Sequence, residues 1–200
     1  MTDAERTNEE KNIYYQYIHT IAPFVVELEV RDGEYPIEIL NEIRSVFTHM
    51  ARYKENDSER DLISAGKHIK RGILDCYKYL CVSMAEEMKD FRDGYRHVDM
   101  MLADNGNFLP KLDKLELCAK KSYVEAKKAE IRMDITDDEL YGLFENAYND
   151  YSTLIQFKDD SEEAILFASN HSKKNMLLAV TSIVIGIVGV VLAVVFYIWK

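Results

Sequence analysis

The chain has 200 residues, of which 30% are charged, and its formal net charge at pH 7 is −10. This acidity argues against general binding to nucleic acid, because phosphate backbones repel a negative surface. The three cysteines, Cys76, Cys81 and Cys118, are odd in number and form neither a CxxC motif nor a Cys/His cluster. This pattern argues against a disulfide framework and a structural zinc, and it favours reduced thiols in the cytosol. Cys76 and Cys118 have apolar helical neighbours, so we expect them in the core.

The first part of the chain reads as two helices joined by a turn. Thr7 and Glu10 form a capping box that predicts the start of a first helix, which Pro23 should kink or interrupt. The turn RDGEYP, with Pro36 at a first helical position, predicts a second helix through about Tyr53. No segment shows the sustained alternation of a half-buried strand, so we expect no sheet.

A third helix, capped by Asp57 or Ser58, is predicted to be the longest in the head. Its apolar residues recur every three or four positions for about forty residues, or roughly 60 Å, until the sequence DNGN ends it. The residues of this stripe are Leu62, Ile69, Ile73, Tyr77, Leu80, Met84, Met88, Phe91, Tyr95, Val98 and Leu102.

Three further helices are predicted to follow. The fourth runs from about Lys111 to Met133, and Thr136 with Glu139 forms another capping box that opens a fifth. Ser161 marks the cap of the last helix, which we expect to run unbroken into the apolar segment that follows.

That apolar segment predicts a membrane span. From Met176 to Trp199 the chain carries no charge, and this length corresponds to roughly 36 Å of helix, against about 30 Å for the hydrocarbon core of a bilayer. We therefore predict an all-α fold: a cytoplasmic bundle of long helices over residues 1–172, followed by one C-terminal transmembrane helix over residues 173–200.

The flanking charges predict the orientation of this span. His171, Lys173 and Lys174 precede it, whereas only Lys200 follows it, and positively charged flanks stay on the cytoplasmic side. The first residues contain no apolar run, so we expect no signal peptide. We expect a single-pass membrane protein with its N-terminal head in the cytoplasm.

Small residues line one side of the span. Their spacing of three and four allows helix backbones to approach each other in lipid, which predicts association of the spans and a homo-oligomer. The alternative is chance, because membrane helices are rich in Gly and Ala. Four or more spans could enclose a pore lined by Thr181, Ser182 and glycine backbone. The stripe consists of Ala179, Ser182, Gly186, Gly189 and Ala193.

Positive charge gathers in one region of the acidic head. The first forty residues hold nine acidic and three basic side chains, whereas residues 41–71 hold seven basic and five acidic ones. Such a patch favours a phosphate-bearing ligand; the alternative is a solvated helix face paired with neighbouring Glu. A second basic band contains Lys120, Lys121, Lys127 and Lys128. The residues that we predict to bind the ligand are Arg44, His49, Lys67, His68, Lys70 and Arg71.

Arg44-x4-His49, on a helix and followed by a helix carrying His68 and Arg71, resembles the R-x4–6-H signature of the HEPN superfamily. The resemblance covers residues 37–105 and implies a helical bundle, often dimeric, that cleaves RNA without metal or binds nucleotides. In the nucleases the Arg stabilises the phosphate and the His does acid–base chemistry. Ser45 replaces the Asn, Asp or His usual after the Arg.

Arg92-x4-His97 matches the same signature, and there Asp93 satisfies the preference after the Arg. Five residues at 100° each place Arg44 and His49 about 140° apart around a helix, so they converge only at a groove edge or across a dimer interface. Arg44 has an alternative role, pairing with Glu42, Asp61 or another acid inside the bundle.

The architecture as a whole, a small helical head with one plain span, resembles the membrane effectors of bacterial anti-phage systems of the CBASS and Hailong type. The resemblance implies a nucleotide-synthesising partner protein and a nucleotide or oligonucleotide ligand that controls a pore during abortive infection. The sequence has no Gly-rich phosphate loop and no HExxH, GxSxG or EF-hand motif, so we expect no cofactor, no metal and no catalytic residues. A membrane-tethered HEPN-like RNase and a tail-anchored helical adaptor remain as alternatives.

Overall fold

A computed structural model describes residues 1–132 and 134–199, and over these residues the chain is helical without strands. The predicted all-α class is confirmed. Met133, the predicted end of the fourth helix, and the flanking charge of Lys200 lie outside the described residues. The α-helices are α1 (Asp3–Gln16), α2 (Ala22–Asp32), α3 (Ile37–Asn56), α4 (Glu59–Tyr95), α5 (Phe108–Glu130), α6 (Asp137–Asp160) and α7 (Glu162–Ile198).

Helix α1 begins earlier than the sequence predicted. Thr2 and Glu5 form its capping box: the Glu5 backbone N–H donates to Thr2 Oγ1 at 3.3 Å, and the Thr2 N–H donates to Glu5 Oε2 at 2.7 Å. The predicted cap at Thr7 is wrong, because its hydroxyl donates to the Asp3 carbonyl inside the helix at 2.9 Å. Both pairs have the spacing of a capping box, and the one nearer the N-terminus starts the helix.

Pro23 interrupts the α-helical register as predicted, although the chain does not leave the helix. Residues Tyr17–Ile21 form a π-helical turn, and α2 begins at Ala22 with Pro23 in its first turn. Proline has no N–H for the ladder of the preceding turn, and the wider π register accommodates this loss. The Ala22 N–H accordingly donates to the Tyr17 carbonyl.

Helix α4 has 37 residues and carries the predicted apolar stripe on its buried side. Residues of the stripe from Leu62 to Met88 are buried, and they form a large part of the core. The helix ends at Tyr95, before the predicted stop at DNGN. Beyond it, the Val98 N–H donates to the Tyr95 carbonyl, and the Asp99 carboxylate accepts from the Met101 N–H at 3.1 Å. These bonds start a separate 3₁₀ segment, Met100–Gly106.

The helices divide into two compact units. The first contains Met1–Lys89 and Leu115–Ile155, and the second contains Asp90–Lys114 and Gln156–Lys200. In the first unit, α4 contributes the largest share of the buried side chains, including Ile69, Ile73 and Leu80. The division of the chain at residue 172 stays a prediction.

In the second unit, Phe108 is fully buried and stacks on Phe157 with ring centroids 5.6 Å apart. The 3₁₀ segment packs against α7, whose Ile165 and Ala168 are buried. From there α7 continues without a break to Ile198, as predicted. It is the helix, among the described residues, that is long and apolar enough to cross a membrane, and none of its most apolar stretch is buried.

The cysteines differ in burial. Cys76 and Cys81 are buried, and burial raises the pKa of each thiol to about 12. Cys118 is exposed, with its thiol 3.7 Å from Asp150 Oδ2, so the prediction that it lies in the core is wrong. The next residue on α5, Ala119, is buried. Adjacent residues are 100° apart around a helix, so Cys118 faces a different direction from Ala119.

Ser161 precedes α7 as predicted, but its side chain does not cap the helix and donates instead to the Phe157 carbonyl at 2.7 Å. Thr136 does cap α6: the Glu139 N–H donates to Thr136 Oγ1 at 3.2 Å, and the Thr136 N–H donates to Glu139 Oε2 at 2.9 Å.

Thr136 caps a helix and Ser161 does not, so replacing each by alanine should lower the free energy of unfolding by different amounts. Thr136→Ala removes a cap acceptor and should lower the free energy of unfolding by about 1 kcal/mol. Ser161→Ala removes no cap bond and should cost less than about 0.5 kcal/mol. Chemical denaturation of the full chain in detergent measures both values, and equal losses would contradict the assignment of the caps.

Candidate functional site

A small pocket in the first unit contains half of the predicted ligand residues. Lys67, Lys70 and Arg71 on α4 line it, together with Asp137 and Tyr141 from the start of α6. Its volume is about 240 Å³. We call this site the basic pocket. It is smaller than the roughly 300–1,000 Å³ typical of sites for whole small molecules, so its size fits one end of a ligand, such as a phosphate with its sugar.

The charges of the basic pocket are not all neutralised. Lys70 Nζ lies 2.8 Å from Asp138 Oδ1, and this bond raises the pKa of the Lys70 amine. Lys67 and Arg71 are exposed, and within the described part of the chain no carboxylate pairs with either. They lie one helical turn apart on α4, so both cations face the same space. The alternative of a fully paired solvated face therefore holds for Lys70 and not for its two neighbours.

An aromatic wall borders the basic pocket. The ring of Tyr141 meets that of Tyr77 edge-on, with centroids 5.5 Å apart, and their hydroxyls are 3.4 Å apart. The Tyr77 hydroxyl also donates to Glu145 Oε1 at 3.3 Å. Burial raises the pKa of Tyr77, which is a core residue. Tyr141 is thus held in place from behind and offers a fixed aromatic surface to the pocket.

The two histidines form a separate cluster between α3 and α4. His49 Nδ1–H donates to Asp61 Oδ1 at 2.7 Å, and His68 Nδ1–H donates to Glu42 Oε2 at 2.6 Å. The two imidazoles stack with centroids 5.3 Å apart and planes 17° apart. We call this arrangement the histidine pair. The hydrogen bond from His49 holds the pKa of Asp61 below its ordinary value.

The structure therefore divides the six predicted ligand residues into three places. Lys67, Lys70 and Arg71 share the basic pocket, His49 and His68 form the histidine pair, and Arg44 lies exposed on α3. Glu42 and Asp61, the two acids named as alternative partners of Arg44, bond to His68 and His49. Residues 44 and 49 are five positions apart and point to different sides of α3.

The second R-x4-H match is also engaged locally. Arg92 pairs with Asp113, and His97 Nε2 accepts a hydrogen bond from Arg96 Nε at 2.9 Å. Neither match brings an arginine and a histidine to one groove within the described residues. This geometry supports ligand binding at the basic pocket better than acid–base chemistry at either motif.

The second basic band borders a wider groove between α5 and α6. Lys121 and Lys128 line this cavity of about 960 Å³, whereas Lys120 and Lys127 pair with Glu116 and Glu130 along α5. With Arg132 the groove has three lining cations, and three acidic residues line it as well, so its charges are balanced. The lining acids are Glu125, Asp134 and Glu139.

Sequence reasoning missed the residues that α6 contributes to the basic pocket. Asp137, Leu140 and Tyr141 are about seventy positions away from Lys67 in the chain. A tyrosine near a helix start carries no signal for a ligand, and only the packing of α6 against α4 brings it to the cations. Groups of three or more metal-ligating side chains do not occur among residues 1–132 and 134–199.

All five residues of the small-residue stripe on α7 are exposed within the described part of the chain. A Cβ atom added at Gly186 or Gly189 would have no neighbouring atom within 4 Å. The hydroxyls of Thr181 and Ser182 donate to the carbonyls of Leu177 and Leu178 at 2.5 and 2.8 Å. The polar groups of this segment are therefore satisfied inside the helix, as a lipid environment requires.

Comparison of the chain with protein-family models, with curated proteins and with solved structures finds no match.

The hydrogen bond between His49 and Asp61 should stabilise the fold at neutral pH and lose this effect in acid. Because the pKa of Asp61 is lowered on folding, its ionised form stabilises the fold above its ordinary pKa of 3.8, and this stabilisation is lost as the pH falls through the lower folded pKa. Asp61→Asn should therefore lower the Tm near neutral pH, and the difference from the wild type should shrink below pH 3.8. Thermal unfolding across this range measures the effect. Asp90→Asn, at an exposed position, is the control, and an equal, pH-independent loss in both variants would contradict the assignment.

Proposed function

We propose that this protein is a single-span membrane effector. In this proposal α7 crosses the bacterial inner membrane, the helical head lies in the cytoplasm, and several copies associate through their spans to form a pore. A nucleotide or oligonucleotide bound by the head controls the pore. The protein itself is not an enzyme.

The observation that supports this proposal most is the exposure of the apolar part of α7. Residues 176–199 are all uncharged, and none of the most apolar stretch is covered by the other described residues. Large apolar side chains such as Ile185 and Leu192 are more than half exposed. Leaving such a surface in water costs roughly 25 cal/mol for every Å² of apolar area, so a bilayer is the environment that it fits.

The orientation of the span follows from charge. Lys173 and Lys174 precede the apolar stretch, and the head is strongly acidic overall. The cytoplasmic leaflet attracts positive flanks, and the positive-inside rule then places the head in the cytoplasm.

The small-residue stripe supports association of the spans. Its five residues recur on one side of α7, and no other described residue covers the two glycines. Close approach of helix backbones is the interaction that small residues permit in lipid. One helix encloses no water path, so conduction requires several copies.

Enlarging the stripe should abolish assembly. Gly186→Leu with Gly189→Leu prevents close backbone approach, so we expect monomers by native mass spectrometry in detergent and no conductance in planar bilayers. Val188→Leu with Val191→Leu introduces two leucines on the opposite side of α7 and should leave both properties unchanged. A wild-type protein that stays monomeric at every concentration would contradict the pore and leave a simple tether.

The basic pocket is the site that best fits the controlling ligand. Lys67 and Arg71 offer unpaired positive charge for a phosphate, and Tyr141 offers an aromatic surface for a base. A defined pocket of this kind is what an acidic head needs in order to hold an anion. Control by a nucleotide-synthesising partner during anti-phage defence is the role that this combination of head and span supports.

Neutralising the pocket should remove ligand binding. Lys67→Ala with Arg71→Ala removes two charged contacts, each worth about 1.5–3 kcal/mol, so affinity should fall by at least tenfold. Calorimetry with a panel of mononucleotides, cyclic dinucleotides and short oligonucleotides measures this loss. Arg44→Ala with His49→Ala, outside the pocket, is the control. If the control loses binding or a ribonuclease activity while the pocket variant does not, the tethered RNase replaces this proposal. If no nucleotide binds the wild type, the adaptor does.

A further inference from the structure

We propose that the second unit contains a binding site for the headgroup of an anionic phospholipid, located where α7 enters the membrane. This inference rests on the proposed insertion of α7 and goes beyond it, because it assigns a ligand class to a cavity separate from the basic pocket. The site is a cavity of about 520 Å³ between the end of α4, the turn that follows it, and the middle of α7. We call it the juxtamembrane cavity.

The depth of the cavity matches that of a lipid headgroup. Lys173 and Met176 both line it, and Met176 is the first residue of the uncharged stretch. With a rise of about 1.5 Å per residue, Lys173 lies only about 4.5 Å along the helix from that boundary. A group bound beside Lys173 would therefore lie at the membrane surface, with Met176 directed toward the hydrocarbon.

The charge around the cavity is positive, although the chain is acidic. Residues 94–99 and 169–176 contain three permanent positive charges and one negative charge, whereas the whole chain carries −10. Lys173 and His97 line the cavity itself, and Arg96 donates a hydrogen bond to His97 Nε2 at 2.9 Å. Lys173 is exposed, and no carboxylate pairs with it in the described part of the chain.

The one acidic residue within these two segments, Asp99, already has a hydrogen-bond partner. The carboxylate of Asp99 accepts a hydrogen bond from the Met101 N–H, which holds it at the start of the 3₁₀ segment. The backbone N–H of Asp99 donates to Ser172 Oγ at 2.8 Å. A hydroxyl that accepts in this way keeps its own hydrogen to donate, so Ser172 adds a neutral donor to the cavity lining.

The remaining lining is largely apolar, apart from the buried Ser169. Tyr95, Val98 and Met176 form a wall beside the cationic and hydroxyl groups. A phospholipid presents the same two chemistries in the same order, with a phosphate at the surface and acyl chains below it. A soluble nucleotide or inorganic phosphate matches only the polar half. The lipid is therefore the source of phosphate that the cavity fits best.

Native mass spectrometry of the full chain in detergent tests this site. Phosphatidylglycerol and phosphatidylcholine with identical acyl chains are the probes. The wild type should retain phosphatidylglycerol in preference. Lys173→Gln should reduce that retention about tenfold, because it removes the direct charged contact that Lys173 makes with the phosphate in the cavity. Lys173→Arg should restore it. Circular dichroism checks that each variant keeps its helical content.

Lys174→Gln is the matched control, because it removes the same charge at the next residue, which does not line the cavity. It should retain phosphatidylglycerol like the wild type. Equal losses in both variants would overturn the site in favour of diffuse attraction to the surface. Equal retention of the two lipids by the wild type would also overturn it.

Two further experiments distinguish failure of this site from failure of the proposed membrane insertion. Lys173-dependent binding of soluble glycerol phosphate, without an acyl chain, would show a free-anion site and overturn the lipid assignment. Flotation of the wild type with phosphatidylcholine vesicles reports insertion alone. Failure to float would overturn both the proposed function and this site, whereas flotation without preference for phosphatidylglycerol would overturn the site only.

Discussion

The structure of this protein depends on one constraint: a long apolar helix that its own chain leaves uncovered. A core helix buries its apolar side chains against neighbours, but no other described residue buries the membrane-length stretch of α7. Its few polar groups bond within the helix, as the Thr181 and Ser182 hydroxyls show. The same helix is buried at Ile165 and Ala168, before this stretch begins. One continuous helix thus belongs to a packed protein unit at one end and to lipid, in our proposal, at the other.

Helix α4 shows how one periodic sequence serves two purposes. Its apolar residues, such as Ile69 and Ile73, recur with the helical period and are buried, whereas the cations between them are exposed. Lys67, Lys70 and Arg71 therefore face outward together because the core fixes the rotation of the helix. The tyrosine wall of the basic pocket has the same origin, since the core packing of Tyr77 holds Tyr141 in place. A ligand site on such a helix is rigid without any dedicated loop.

Local patterns predicted most of the elements and failed where two patterns compete. The cap at Thr136 and the long stripe of α4 follow from side chains that act on their own turn or on one face of one helix. The predictions for Thr7 and Ser161 failed because a serine or threonine hydroxyl can bond backward to the carbonyl four residues earlier, as both do here. Cys118 failed because apolar neighbours in sequence do not establish which side of a helix is buried.

Sequence alone determined the all-α class, the approximate extent of the helices and the presence of a membrane-length apolar segment. These properties depend on composition and on periods of a few residues, which are local. Only the tertiary structure decided which of the six predicted ligand residues share a site. The register of α4 against α3 assigns His49 and His68 to carboxylates, and its contact with α6 adds Asp137 and Tyr141 to the lysines. These contacts depend on how helices that are distant in the chain pack against each other. Patterns over a few residues of sequence do not encode that packing.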